Sequence, residues 1–171
     1  RAECRAAVEI AYSQVFDDQF DPHDRWGFAE EKRRRDVDRS RPDWRGCNPE
    51  LADFIEAYEA ELRRRSLIDF DDMPLIAFRM IQQHGWIRAA LRARFPVLFV
   101  DEYQDLGYAL HELVLLLCFA GGMRLFAVGD ADQSIYGFTG ADPELLQSLV
   151  ARADVRVLRL RFNYRSGAKI I

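Results

Sequence analysis

Cysteine is scarce in this chain of 171 residues, and its three copies, Cys4, Cys47 and Cys118, are odd in number and far apart. That excludes a disulfide framework and a CxxC metal site, and points to a reducing, cytoplasmic setting. Histidine is equally sparse: His23, His84 and His111 stand apart from one another and from any cysteine or acid pair, so no zinc-type cluster is expected. No apolar run approaches the roughly 20 residues needed to span a bilayer. The longest is Leu113 to Ala120, and the N-terminus lacks a signal-peptide pattern, so no membrane association is expected. A surplus of positive charge is also missing, with 24 Lys and Arg against 28 Asp and Glu and a formal net charge of -4. Any contact with nucleic acid must therefore be local.

What is present is ordinary globular composition, 49% hydrophobic and 12% aromatic, enough for a sizeable core. The basic residues are nearly all Arg and clustered, at Lys32 to Arg35 with Arg39, Arg41 and Arg45, at Arg63 to Arg65, and at Arg88, Arg92 and Arg94. The first cluster has two readings, duplex phosphate contacts or a solvated loop, and the interleaved Asp36, Asp38 and Asp43 favour the second. A helical periodicity is already running at Arg1, and an apolar segment is beginning at Ile171, as in an internal piece of a longer protein.

Ala6, Val8, Ile10, Ala11 and Val15 suit an amphipathic helix over residues 1 to 20. From Asp17 to Asn48 the chain reads as loop, with a short helix around Phe28 to Arg35. Asn48-Pro49-Glu50 starts a helix whose stripe runs through Leu51, Phe54, Ile55, Tyr58 and Leu62. Pro74 opens another to about Gln83, with Asp69, Asp71 and Asp72 read as caps rather than as a metal cluster. A further helix spans Trp86 to Arg94.

The pattern then changes. Pro96 to Val100 is a short apolar run that reads as a parallel strand buried on both faces, Arg124 to Val128 repeats the strand pattern, and Val155 to Leu160 gives a third strand. Helices at Leu106 to Ala120 and from Asp142-Pro143-Glu144 to Val150 separate them. Strand, helix, strand, helix, strand is an α/β unit with a parallel sheet, preceded by an all-helical segment. Tyr103, Phe99, Phe126 and Phe162 are read as core or strand residues.

Ligands bind beyond the carboxyl ends of such strands, and three polar clusters fall there: Asp101 to Asp105, Gly129 to Ala141, and Asn163 to Ser166. Four apolar residues followed by Asp-Glu describe a Walker B strand, in which the first acid holds magnesium and the second orients the attacking water. The dipeptide alone fits an ordinary strand end equally well.

Taken together, the segments Asp101-Glu102-Tyr103-Gln104-Asp105, Gly129 to Ala141 and Asn163-Tyr164-Arg165-Ser166 resemble motifs II, III and IV of UvrD/Rep-type superfamily one DNA helicases. Asp69-Phe70-Asp71-Asp72 matches the DFDD segment ahead of motif II, so that about residues 50 to 171 fit the family. The resemblance implies a partial RecA-like P-loop NTPase sheet, with residues 1–66 resembling the end of subdomain 1B and residues 67–171 part of motor domain 1A.

It also implies ATP and Mg2+ as cofactors, and single-stranded DNA with a duplex junction as partner, travelled in the 3'-to-5' direction. Asp101 would anchor the metal, Glu102 would act as general base, and Gln133 would sense the γ-phosphate. Arg165 would supply positive charge to the γ-phosphate, Tyr164 would stack on adenine, and Tyr136 and Phe138 would stack on DNA bases. Gln133 and Phe138 share one loop, which would couple nucleotide state to strand grip.

Three departures stand out. Phe138-Thr139-Gly140-Ala141 replaces the usual Trp-Arg-Gly-Ala, which weakens strand grip, and Leu106-Gly107 replaces the frequent Thr-Asn. No GxxxxGK[ST] stretch is present, so the chain by itself is not expected to hydrolyse ATP well. Two alternatives stay open: a non-catalytic helicase-like module that binds DNA or protein, and the motor part of a helicase-nuclease.

Overall fold

The computed structural model describes residues 2–15, 39, 43–47, 49–70, 72–134, 141–160 and 162. The helix expected around Phe28 to Arg35 and the Asn48 cap lie outside them. Helix α1 (Ala2–Val15) packs on α3 (Pro49–Arg64), with the short helix α2 (Trp44–Cys47) between them in the chain. The stepped stripe of α3 buries Phe54, Ile55, Tyr58 and Leu62 against Ala7, Val8 and Ala11 of α1. Small residues on α1 face large ones on α3, and each large side chain so buried contributes about 1.5–3 kcal/mol.

Helix α4 (Asp72–Gln83) begins two residues before Pro74, which sits in its first turn, where a missing N–H costs nothing. Asp69 caps it: Oδ1 accepts from the N–H of Asp72 at 2.9 Å, while Oδ2 accepts from the Tyr58 hydroxyl at 2.9 Å. Arg39 corrects the picture of a solvated arginine loop at that position. It is 8% exposed and is held between Glu59 of α3 and Asp72 of α4. Arg45 of the same cluster pairs with Glu56.

Helix α5 (Gly85–Arg94) leads into β1 (Val97–Val100), which pairs in parallel with β2 (Arg124–Ala127). The register sets Val97 opposite Arg124 and Val100 opposite Ala127. Between them α6 (Tyr108–Leu115) ends in a π-helical turn over Leu116–Ala120. Gly122 closes it with a φ of +76°, and the N–H groups of Gly122 and Met123 return to the carbonyls of Cys118 and Leu117. The last helix, α7 (Pro143–Val150), starts as its sequence indicates, with the Asp142 carboxylate accepting from the N–H of Glu144 at 3.0 Å. A second core gathers Ile81, Tyr103, Val114, Leu117, Cys118, Met123 and Leu149, with Leu98, Val100, Leu125 and Ala127 of the sheet packed on it.

Two expectations about the sheet are corrected. Its strands are not covered on both faces: Phe99 and Phe126 lie side by side, ring centroids 5.5 Å apart, and are 71% and 55% exposed. Phe162 is also exposed rather than core. Val155 to Leu160 does not form a strand, because no described strand lies beside it to complete a ladder. Val155 still packs on the second core, while Leu158 and Leu160 are exposed. Among the described residues no helix is long and apolar enough to cross a membrane.

Candidate functional site

The strand tips bring the first two polar clusters together. Beyond Val100 the ladder continues past the regular strands, with Val128 donating to the Val100 carbonyl at 2.8 Å and Tyr103 to the Val128 carbonyl at 2.9 Å. These bonds place Asp101 and Glu102 beside Gly129 and Asp130. Both Asp101 and Glu102 are exposed.

Glu102 has a φ of 50° and a ψ of 49°, the left-handed region that a non-glycine residue rarely takes. Its N–H donates to Asp101 Oδ1 at 3.0 Å, which helps to hold the turn. Strain of this kind gathers at functional sites, and here it reverses the chain so that Glu102 stays outside while the next two residues enter the core. Tyr103 is fully buried and Gln104 is 2% exposed, on a single 3-10 turn spanning Tyr103–Asp105.

Gln104 lies within the first motif, yet spacing alone assigns it no part; burial and bonding do. Its Nε2 donates to Glu102 Oε2 at 2.8 Å, and its Oε1 accepts from the N–H of Asp130 at 3.0 Å. Asp130 is a second residue to which sequence reasoning gives no role. Its Oδ2 accepts from Gln133 Nε2 at 2.7 Å and its Oδ1 from the N–H of Asp132 at 3.1 Å. Gly129 fits because it has no side chain: a Cβ there would lie 2.9 Å from Gln104 Oε1 and 3.1 Å from the backbone nitrogen of Tyr103.

Of the residues singled out from sequence, Asp101, Glu102 and Gln133 thus stand on two adjoining loops at one end of the sheet. Tyr136, Phe138, Tyr164 and Arg165 lie outside the described residues. No described Lys or Arg forms an ion pair with Asp101, Glu102, Asp105, Asp130 or Asp132. One oxygen of Asp105 is buried with no hydrogen-bond partner among the described residues. Three or more metal-ligating side chains do not converge among the described residues. The donor set still fits magnesium, which is commonly held by one or two carboxylates together with phosphate oxygens and water. The bond from Glu102 uses one of the several acceptor positions on Asp101.

Comparison with known proteins gives the family. Residues 8–154 match the UvrD/REP helicase N-terminal domain. The chain is 37% identical over 122 residues to the ATP-dependent DNA helicase PcrA of Leuconostoc citreum, covering 71% of this chain and 16% of that protein. It is 37% identical over 115 residues to the ATP-dependent DNA helicase Rep of Escherichia coli K12, covering 67% of this chain and 17% of that protein. The exonuclease/helicase protein RexA of Streptococcus pneumoniae serotype 4 is 30% identical over 126 residues, covering 71% of this chain and 10% of that protein. The chain therefore spans about a sixth or less of the relatives it matches. With that match running from α1 to beyond α7, the chain belongs to the UvrD/REP helicase N-terminal domain family.

Proposed function

We propose that this chain forms part of an ATP-dependent DNA helicase or translocase that moves 3'-to-5' on single-stranded DNA. Residues 67–171 would belong to a RecA-like motor domain 1A and residues 1–66 to the end of subdomain 1B; the two separate cores support that division. The observation that carries the reading is the hydrogen-bonded meeting of the Glu102 and Gln133 loops at the carboxyl ends of two parallel strands. Ligands bind at that edge of an α/β sheet.

Asp101 would hold the magnesium ion of Mg-ATP, which when bound neutralises phosphate charge. Glu102, exposed and at the strand tip, would accept a proton from the attacking water or orient it. Gln133 would report the γ-phosphate through an amide that can donate or accept without changing charge. Tyr164 and Arg165 would serve adenine and γ-phosphate, and Tyr136 and Phe138 the DNA bases.

The test uses the whole protein that carries this chain, where ATP hydrolysis should be stimulated by single-stranded DNA. Glu102→Gln should abolish turnover and leave nucleotide binding intact. Normal turnover in that variant would remove the role given to Glu102, and absence of any stimulated hydrolysis in the unsubstituted protein would favour a non-catalytic module. The similarity to an exonuclease/helicase protein supports a second reading, the motor of a helicase-nuclease. DNA degradation by the whole protein would select it.

A further inference from the structure

Gln104 is almost wholly buried, at 2% exposure, in a stretch whose carboxylates are mostly in solvent. A buried primary amide is costly unless its donors and acceptor are engaged. Here Oε1 accepts from the N–H of Asp130 at 3.0 Å and Nε2 donates to Glu102 Oε2 at 2.8 Å. The direction of the amide is fixed by chemistry. A backbone N–H can only donate, so the oxygen must face Asp130 and the NH2 must face Glu102. The backbone carbonyl of Gln104 also takes a bond from the Ser134 hydroxyl at 3.4 Å, one residue beyond Gln133.

The linkage runs further. Asp130 accepts from Gln133 Nε2 at 2.7 Å, so Glu102 and Gln133 are joined through Gln104 and Asp130. Glu102 is otherwise a long, exposed side chain on a left-handed residue, free to occupy several rotamers. One fixed donor on Oε2 selects among them and leaves Oε1 for a water.

We infer that Gln104 is a positioning residue, which orients the Glu102 carboxylate for hydrolysis and ties that orientation to the loop carrying Gln133. It rests on the proposed function and adds to it a residue that touches neither nucleotide nor metal.

Two variants of the whole protein separate the parts of this role. Gln104→Leu removes both bonds. Gln104→Glu keeps the size and an acceptor for the Asp130 N–H and, assayed at a pH high enough to ionise a buried carboxyl set against Glu102, presents a carboxylate oxygen to Glu102 in place of a donor. Both should lower kcat of single-stranded-DNA-stimulated ATP hydrolysis by roughly 10- to 100-fold, the usual cost of losing an orienting partner. KM for ATP and the dissociation constant for single-stranded DNA should stay near their original values. Unchanged kcat in folded Gln104→Leu would remove the role altogether. Full kcat in Gln104→Glu with loss in Gln104→Leu would show that loop anchoring, not Glu102 orientation, is what matters, and a loss seen only in KM would show the same. An unsubstituted protein with no ATP hydrolysis would instead remove the proposed function, and this role with it.

Discussion

The Tyr103 hydroxyl lies 2.9 Å from His111 Nδ1, the two rings set edge to face with centroids 5.9 Å apart, next to the Asp101-Glu102 tip. Burial pushes the Tyr103 phenol up to about 12, so it keeps its proton. A protonated hydroxyl can donate to a bare Nδ1 or accept from Nδ1–H, so either neutral tautomer of His111 makes the bond.

Burial also pulls His111 below its ordinary value of 6.5, against a smaller opposing pull from Glu112 and Asp142. The unfolded chain therefore takes up a proton that the folded chain resists. Stability from this group is full above the unfolded value and is lost as pH falls through the folded one. The melting temperature should fall as pH drops below the ordinary value of 6.5, and His111→Gln should flatten that part of the slope. An equal slope in the variant would assign the loss to other groups.

The relation between Tyr103 and His111 shows where sequence stops being informative. Helical stripes are legible: Phe54, Ile55, Tyr58 and Leu62 point one way because their spacing allows little else. Asp142-Pro143-Glu144 carries its capping geometry in its residue types. The acids at the end of β1 are legible for the same kind of reason, as an apolar run ending in charge. Gln104 is not, since an amide in a run of acids, next to Asp105, reads as surface until a left-handed Glu102 turns it inward. Arg39 reads like its charged neighbours, and only the approach of α3 to α4 reveals that it is buried. The run from Val155 to Leu160 shows the converse limit, because strand propensity is realised only where a paired neighbour exists.

Gly129 should tolerate no side chain. A Cβ there meets Gln104 Oε1 at 2.9 Å and the Tyr103 backbone nitrogen at 3.1 Å, and that nitrogen is already bonded to the Val128 carbonyl. Gly129→Ala must push the two loops apart, at about 1–3 kcal/mol for an overpacked site. Urea denaturation would measure that cost. ATP turnover should fall as it does for Gln104→Leu, and wild-type values in both assays would show that the loops move apart freely.

Asp69 serves two elements at once. Asp69→Ala removes the acceptor for the Asp72 N–H and the acceptor for the Tyr58 hydroxyl, so the loss should exceed the ~1 kcal/mol of an ordinary cap. Asp69→Asn keeps an oxygen for one of these bonds and should restore part of the difference. Equal melting of the Ala and Asn variants would show that the oxygen's contacts contribute nothing.

Arg39 stands between Glu59 on α3 and Asp72 on α4, with 6% of its side chain exposed against 16% and 10% for its partners. Its removal takes a cation away from two poorly hydrated carboxylates, of which Glu59 keeps the more exposed Arg63 at 3.5 Å. Breaking a buried pair in this way typically costs about 3–5 kcal/mol, most of it the penalty of uncompensated charge rather than the worth of the bond. Arg39→Met, which keeps much of the aliphatic stem, should therefore lower the urea midpoint strongly. If stranded charge is the cause, adding Glu59→Gln to Arg39→Met should recover stability, so that the double variant is more stable than the sum of the single losses. Strict additivity would mean that Arg39 holds the two helices through its packing alone, and would take the ion pairs out of the account.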